Sequence, residues 1–224
     1  GVMHRNVIPP NILVYPSDSE ENGVRVKVSG FGGARRFGEE DYFPQRAFTP
    51  KVVWLQYRSP EILLNATGRS GPTYGPAVDL WSVGCILAEM STGKALFPSD
   101  SEIDTLFRIF QLLGTPSPKE WPELYAFPDW NHAFPKWPRR SLRLLVPKED
   151  RVDMLNIYSR TRSRLSGGRG MKSPSKESES GSCSTPSGKQ IRLPDAEDLL
   201  TKLLMYDPDH RPSARTALQH PFLT

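Results

Sequence analysis

Cysteine is scarce: there are two in 224 residues. Cys85 lies in an apolar run and Cys183 in a serine-rich stretch, and neither has a partner at metal-ligand spacing. Neither a disulfide scaffold nor a zinc site is expected, and a reducing, intracellular compartment, nucleus or cytoplasm, is the expectation. The four histidines also lack ligand spacing. No apolar stretch approaches the ~18 residues of a membrane span, so no membrane partner is expected. The opening GVMHRN is not a signal peptide. No Walker loop occurs, and GFGGAR fails the pattern G-x-G-x-x-G because its last position is Arg35. Positive charge is also missing from most of the chain. The net charge is +4, but residues 160–192 hold eight Lys/Arg against Glu177 and Glu179, so the rest carries −2. This distribution argues against a nucleic-acid partner. Trp121, Trp130 and Trp137 read as packing residues rather than a stacking platform for bases.

Proline and glycine are plentiful, at 22 and 17, and imply many loops. NILV (11–14) and VRVKV (24–28) read as two strands joined by the polar loop PSDSEENG, whose Asn22-Gly23 is a turn signal. SGFGGARRFG reads as loop, and residues 37–60 as an extended surface loop. PAVDLWSVGCILAEM (76–90) is apolar nearly all round, the pattern of a central buried helix that holds Cys85 in the core. Ser99 and Glu102 form a capping-box pattern ahead of a helix that carries Ile103, Leu106, Phe107, Phe110 and Leu113 and ends at Gly114. Residues 115–147 have little regular pattern. Residues 152–192 read as a disordered, basic, serine-rich insertion that cannot repay its ordering entropy. Within it, Ser173-Pro174 and Thr185-Pro186 are minimal sites for proline-directed kinases. A helix resumes over 195–206, and Ser213 can cap a short last one.

HRNVIPPN (4–11) has the outline of the catalytic loop H-R-D-x-x-x-x-N. Four more motifs follow in order. KVSGFGGARRF resembles the K-I-x-D-F-G-x-A-R segment, SPE resembles A-P-E, DLWSVG resembles D-x-W-S-x-G, and DPDHRPS resembles D-P-x-x-R-x-S. VVWLQYRSPEILL, ALFPSDSEIDTLFRIFQLLGTP, FPKWPRRSL and the final HPF resemble cyclin-dependent kinases, and FPSDSEIDTLF favours the cell-cycle group. The resemblance covers residues 1–224 apart from 152–192. It implies a mainly α fold, the C-terminal lobe of a protein kinase: a helical bundle with a short β-hairpin at the catalytic loop. Residues 33–61 would be the activation segment. The N-terminal lobe, which in this family supplies the glycine-rich loop and the ATP-pairing Lys, is absent from these residues. ATP and Mg²⁺ are the family's cofactors, and tight binding by this chain alone is not expected. A cyclin and a small regulatory subunit are the protein partners the resemblance suggests.

The resemblance also sets what each position should do. The catalytic Asp that orients the substrate hydroxyl is here Asn6, a neutral amide that cannot accept a proton near neutral pH. The Lys that touches the transferred phosphate is Ile8. The Mg²⁺-binding Asp is Gly30, which supplies no carboxylate. Asn11, the other metal ligand, remains. Trp54 replaces the Thr that bridges the catalytic Asp and Lys, and Gln56 replaces a Trp. Four changes at positions that touch one another in the family read as one event, abandonment of phosphoryl transfer. The supports are kept: His4 and Phe31 match the stacked pair linking loop to lobe, Asp79 matches the helix residue that holds the catalytic-loop backbone, and Glu61 and Arg211 match a buried ion pair. Thr49 stands at the family's activating phosphosite, with Arg5 and Arg35 matching two of the arginines that grip that phosphate. Val52, Val53 and Arg58 match the wall of the pocket that selects proline after the phosphoacceptor. The resulting expectation is a pseudokinase acting by protein binding. The alternative is a divergent active Ser/Thr kinase completed by an N-terminal lobe.

Overall fold

The structure, a computed structural model, describes residues 1–16, 24–37, 53–66, 73–145 and 193–224. The insertion expected over 152–192 and the polar loop 17–23 lie outside these residues, as do Thr49 and Val52.

Two small antiparallel sheets stand at the start of the chain. Strand β2 (Ile12–Pro16) pairs with β3 (Val24–Val28), with Ile12 opposite Val28 and Val14 opposite Val26. This is the hairpin that the two β-branched runs predict. Strand β1 (Val2–Met3) pairs with β4 (Arg35–Arg36). The pairing replaces part of the loop expected over 29–38, because two-residue strands are too short to show a period. Between β3 and β4 the chain makes a 3-10 turn at Phe31–Gly33.

Helix α1 (Pro60–Leu63) is short and buried along its whole length. Arg58 and Ser59, just before it, are buried too. The extended surface loop expected over 37–60 is therefore wrong at its end: a 3-10 turn at Leu55–Tyr57 carries the chain inward. Helix α2 (Ala77–Thr92) supplies the centre of the core, with Trp81 and Cys85 fully buried. Ser82 sits on its buried side and donates to the Tyr57 carbonyl at 2.8 Å, which satisfies a polar group that burial would otherwise penalise.

Helix α3 (Glu102–Leu113) is amphipathic, and Leu106, Phe110 and Leu113 face the core. Its cap differs from the expected one. Ser101, not Ser99, accepts from the Asp104 backbone N–H at 3.2 Å. Glu102 is drawn away to Arg58 at 2.6 Å, so the box cannot close. Ser99 instead shares a 2.6 Å hydrogen bond with Thr105. Replacing Ser101 by Ala is expected to cost about 1 kcal/mol in urea denaturation; a change below a few tenths would show that the cap contributes nothing.

The stretch after α3 is irregular but packed. Trp121 and Leu124 are buried, with Trp121 stacked on Tyr206 at 6.1 Å, while Trp130 and Trp137 pack against the core from its edge. The packing role expected for these tryptophans is the one they have. Helix α4 (Leu193–Leu203) lays Leu199, Leu200 and Leu203 inward. Helix α5 (Ala214–Ala217) is capped by Ser213, which accepts from Thr216 at 3.1 Å.

Candidate active site

The loop 4–11 is held from below by Asp79. One carboxylate oxygen accepts from the His4 N–H at 2.6 Å and the other from the Arg5 N–H at 2.8 Å. Burial pushes the Asp79 carboxyl above its usual range, and these two donors oppose that shift. Arg5 has a positive φ of 62°, an uncommon conformation for a long side chain that the paired N–H bonds hold in place. The His4 ring meets Phe31 edge-on with centroids 4.6 Å apart and bonds the Ser29 carbonyl at 2.9 Å. Every support expected at this loop is thus formed.

The reacting positions form a different set. Asn6 is half-buried, and its carbonyl accepts from Asn11 Nδ2 at 2.9 Å. Ile8 is only 3% exposed and belongs to the main hydrophobic core. Gly30 adopts the left-handed conformation, φ 84°, which glycine accepts without steric cost. A Cβ at this position would lie 2.5–2.7 Å from Nδ2, Cγ and Oδ1 of Asn11. The Asn11 amide is therefore packed directly onto Gly30, in space that any larger residue would claim.

Mg²⁺ requires hard oxygen ligands in near-octahedral array. Gly30 gives no side-chain oxygen, Asn6 is neutral, and Asn11, whose Nδ2 donates to the Asn6 carbonyl, offers a single neutral amide oxygen. Among the described residues no group of three or more His, Cys, Asp or Glu is gathered to hold a metal. The residues at this site do not fit a divalent cation.

Arg5 and Arg35, expected to share a phosphate on Thr49, both bear on Tyr74. Arg5 Nε donates to the Gly33 carbonyl at 2.6 Å and Nη1 donates to the Tyr74 hydroxyl at 3.0 Å. Burial raises the Tyr74 phenol above its ordinary range, and the Arg5 bond and both arginine charges pull it back. Sequence reasoning did not single out Tyr74; it lies between two glycines in GPTYGP, with no periodicity to mark it.

Val53 and Arg58 are brought together by a hydrogen bond. Val53 has a φ of 66°, a costly conformation for a β-branched residue. Its carbonyl is turned to accept from Arg58 Nη2 at 3.0 Å, while Arg58 Nη1 is fixed by Glu102 at 2.6 Å. Next to this carbonyl, Trp54 is 55% exposed. Farther away, Arg211 donates to both carboxylate oxygens of Glu61, at 2.6 and 2.8 Å, with both side chains essentially excluded from solvent.

A loop held by a carboxylate from the central helix, a β-hairpin beside it and a buried Glu–Arg pair closing the lobe agree with a comparison to known families. The family model for the protein kinase domain matches residues 1–223. The chain belongs to the protein kinase family. Members of this family generally use ATP and Mg²⁺. Set against that family chemistry, the described residues of this kinase domain form the supports of the loop and place Asn6, Asn11 and Gly30 beside one another.

Proposed function

We propose that this chain is a cyclin-dependent-kinase-like lobe whose phosphoryl-transfer site is silent and which acts by binding proteins. The observation that carries the reading is the contact between Asn11 and Gly30, which puts no carboxylate beside the Asn11 amide and fills with that amide the place a side chain at position 30 would take. The family reaction is ATP-dependent phosphorylation of protein Ser or Thr ahead of proline. It depends on positioning and electrostatic stabilisation rather than covalent help from the protein. Asn6 offers no charge to an incoming hydroxyl, and Ile8 presents a buried hydrocarbon where a cation would meet the phosphate.

Recognition fares better than chemistry. The Val53 carbonyl is already taken by Arg58, so a bound peptide with an N–H at that register would leave it unpaired. Proline has no N–H and loses nothing there. The neighbouring Trp54 adds a flat apolar surface. The pocket thus supports selection of a proline-containing segment without its phosphorylation. A second contact region is the start of α3, where Ile103 is exposed; a small regulatory subunit or a cyclin is the kind of partner the cyclin-dependent-kinase likeness suggests.

The second reading, a divergent active Ser/Thr kinase completed by an N-terminal lobe, draws its support from the intact Asp79, His4–Phe31 and Glu61–Arg211 contacts. Phosphate transfer from labelled ATP to a Ser-Pro peptide separates the two. The expected result for the complete native protein is no incorporation above background. Incorporation that an ATP-site inhibitor blocks and that Asn6→Ala abolishes would overturn the silent reading.

A further inference from the structure

The end of α3, the segment after it and the chain beyond α4 border an open recess of about 260 Å³. Leu113, Leu204 and Tyr206 line it, and all three are buried. Lys119, Arg139 and His210 stand around it and are exposed. Among the described residues, neither Lys119 nor Arg139 has a hydrogen-bond or ion-pair partner. The recess is smaller than the roughly 300–1,000 Å³ of pockets that take drug-sized ligands, so it suits a compact group rather than a nucleotide.

These cations are placed by fixed backbone rather than by chance surface geometry. Gly114, with φ +84°, lets the Arg139 backbone come so close that a Cβ on Gly114 would lie 3.0 Å from the Arg139 nitrogen. The segment is pinned on both sides of that approach, by the Thr115 N–H to the Trp137 carbonyl at 3.0 Å and by the Arg140 N–H to the Leu112 carbonyl at 2.9 Å. The Tyr206 hydroxyl donates to the Gly114 carbonyl at 2.5 Å and locks the floor to the same corner. Lys119 sits in a turn closed by Glu120, whose Oε2 accepts from the backbone N–H and the hydroxyl of Ser117, both at 3.2 Å. These bonds hold the Glu120 carboxylate to its own turn and leave its charge in the lining, where Lys119 and Arg139 exceed it by one. The His210 ring is oriented by a 2.8 Å bond to Asp207.

We propose that this recess is a binding site for a phosphomonoester, gripped by Lys119 and Arg139 with His210 at its edge. A planar guanidinium and a flexible ammonium lining one recess suit a tetrahedral oxyanion with several acceptor oxygens better than a single carboxylate. The site is independent of the catalytic loop and does not require phosphoryl transfer.

Amide chemical shifts of the full chain, followed during titration with inorganic phosphate, test the proposal. Saturable shifts are expected at residues 113–120, 139 and 205–210, and not with chloride at matched ionic strength. Removing a charge-assisted contact by Lys119→Ala or Arg139→Ala is expected to weaken binding about tenfold each. Lys136→Ala, outside the recess, should leave it unchanged. Unaltered shifts elsewhere in the spectrum show that the variants are folded. A phosphoserine peptide that binds more tightly than phosphate assigns the ligand to a modified protein, and equal affinity assigns it to the free ion. Shifts that do not saturate, or that persist undiminished in the Lys119→Ala/Arg139→Ala double variant, would overturn the site.

Discussion

Glu61→Ala is expected to lower the stability of this lobe by about 3–5 kcal/mol, the cost of leaving one partner of a buried ion pair alone. For a chain of this length that corresponds to a fall of roughly 10 °C in melting midpoint. The residual charge is severe because Arg211 is wholly enclosed. Its guanidinium also donates to the carbonyls of Met205 at 2.7 Å, Tyr206 at 3.0 Å and Ala77 at 3.2 Å, and it lies over the Trp81 ring at 5.0 Å. These contacts lead to a sharper expectation. Replacing a buried pair by apolar residues is often neutral or stabilising. Here Glu61→Leu/Arg211→Met would leave three carbonyls without their donor, so the double variant should stay well below wild type. Recovery of the wild-type midpoint would show that those carbonyl bonds contribute little.

The second large effect concerns reversal of the altered site. Gly30→Asp is expected to cost about 2–3 kcal/mol rather than to restore a metal ligand. About 1–2 kcal/mol comes from a side chain held in the left-handed region. About 1 kcal/mol more comes from displacing the Asn11 amide from the Asn6 carbonyl. Ile8→Lys should cost a further ~2–4 kcal/mol, because it exchanges a buried aliphatic side chain for a charge that must reach water from within the core. Urea denaturation of the single variants reads both numbers. The steric origin has its own signature: in an Asn11→Ala background the Gly30→Asp cost should shrink by about 1 kcal/mol. Strict additivity of the two substitutions would rule out the contact as the cause.

These expectations depend on contacts that no pattern in the sequence displays. The loss of carboxylates at positions 6 and 30 was legible, because a missing charge is a property of one residue. The closing of Asn11 onto Gly30 was not, because it depends on a hairpin that folds two segments together. Hydrophobic period and turn chemistry were enough for β2, β3, α2, α3 and α4, whose lengths allow a period to show. They failed for the two-residue β1 and β4. They also failed for the buried approach to α1, where Arg58 and Ser59 look like surface residues until Val53, Glu102 and the core enclose them. The cap of α3 was misplaced by two positions because Ser99 and Ser101 both stand three residues before an acidic one. Only the pull of Arg58 on Glu102 distinguishes them. Of the candidate site residues, Asp79, His4, Phe31, Glu61 and Arg211 make the contacts expected of them, and Val53 and Arg58 are joined by a hydrogen bond. Arg5 bonds Tyr74, a residue the sequence did not mark, and the Arg35 charge acts on the same phenol.

Glu61 and Arg211 lie 150 residues apart, and the separation bears on how the chain is made. At a synthesis rate of about 5–20 residues per second, the ribosome needs roughly 8–30 s to deliver the second partner after the first. Until then Glu61 cannot be enclosed without a lone buried charge, so α1 has to wait in water, and the part of α3 that packs on it waits with it. The lobe is therefore closed by a late segment, and an unfinished chain that stops before position 211 presents an undocked α1 and the apolar residues of α3 beneath it to whatever chaperone or protease is nearby.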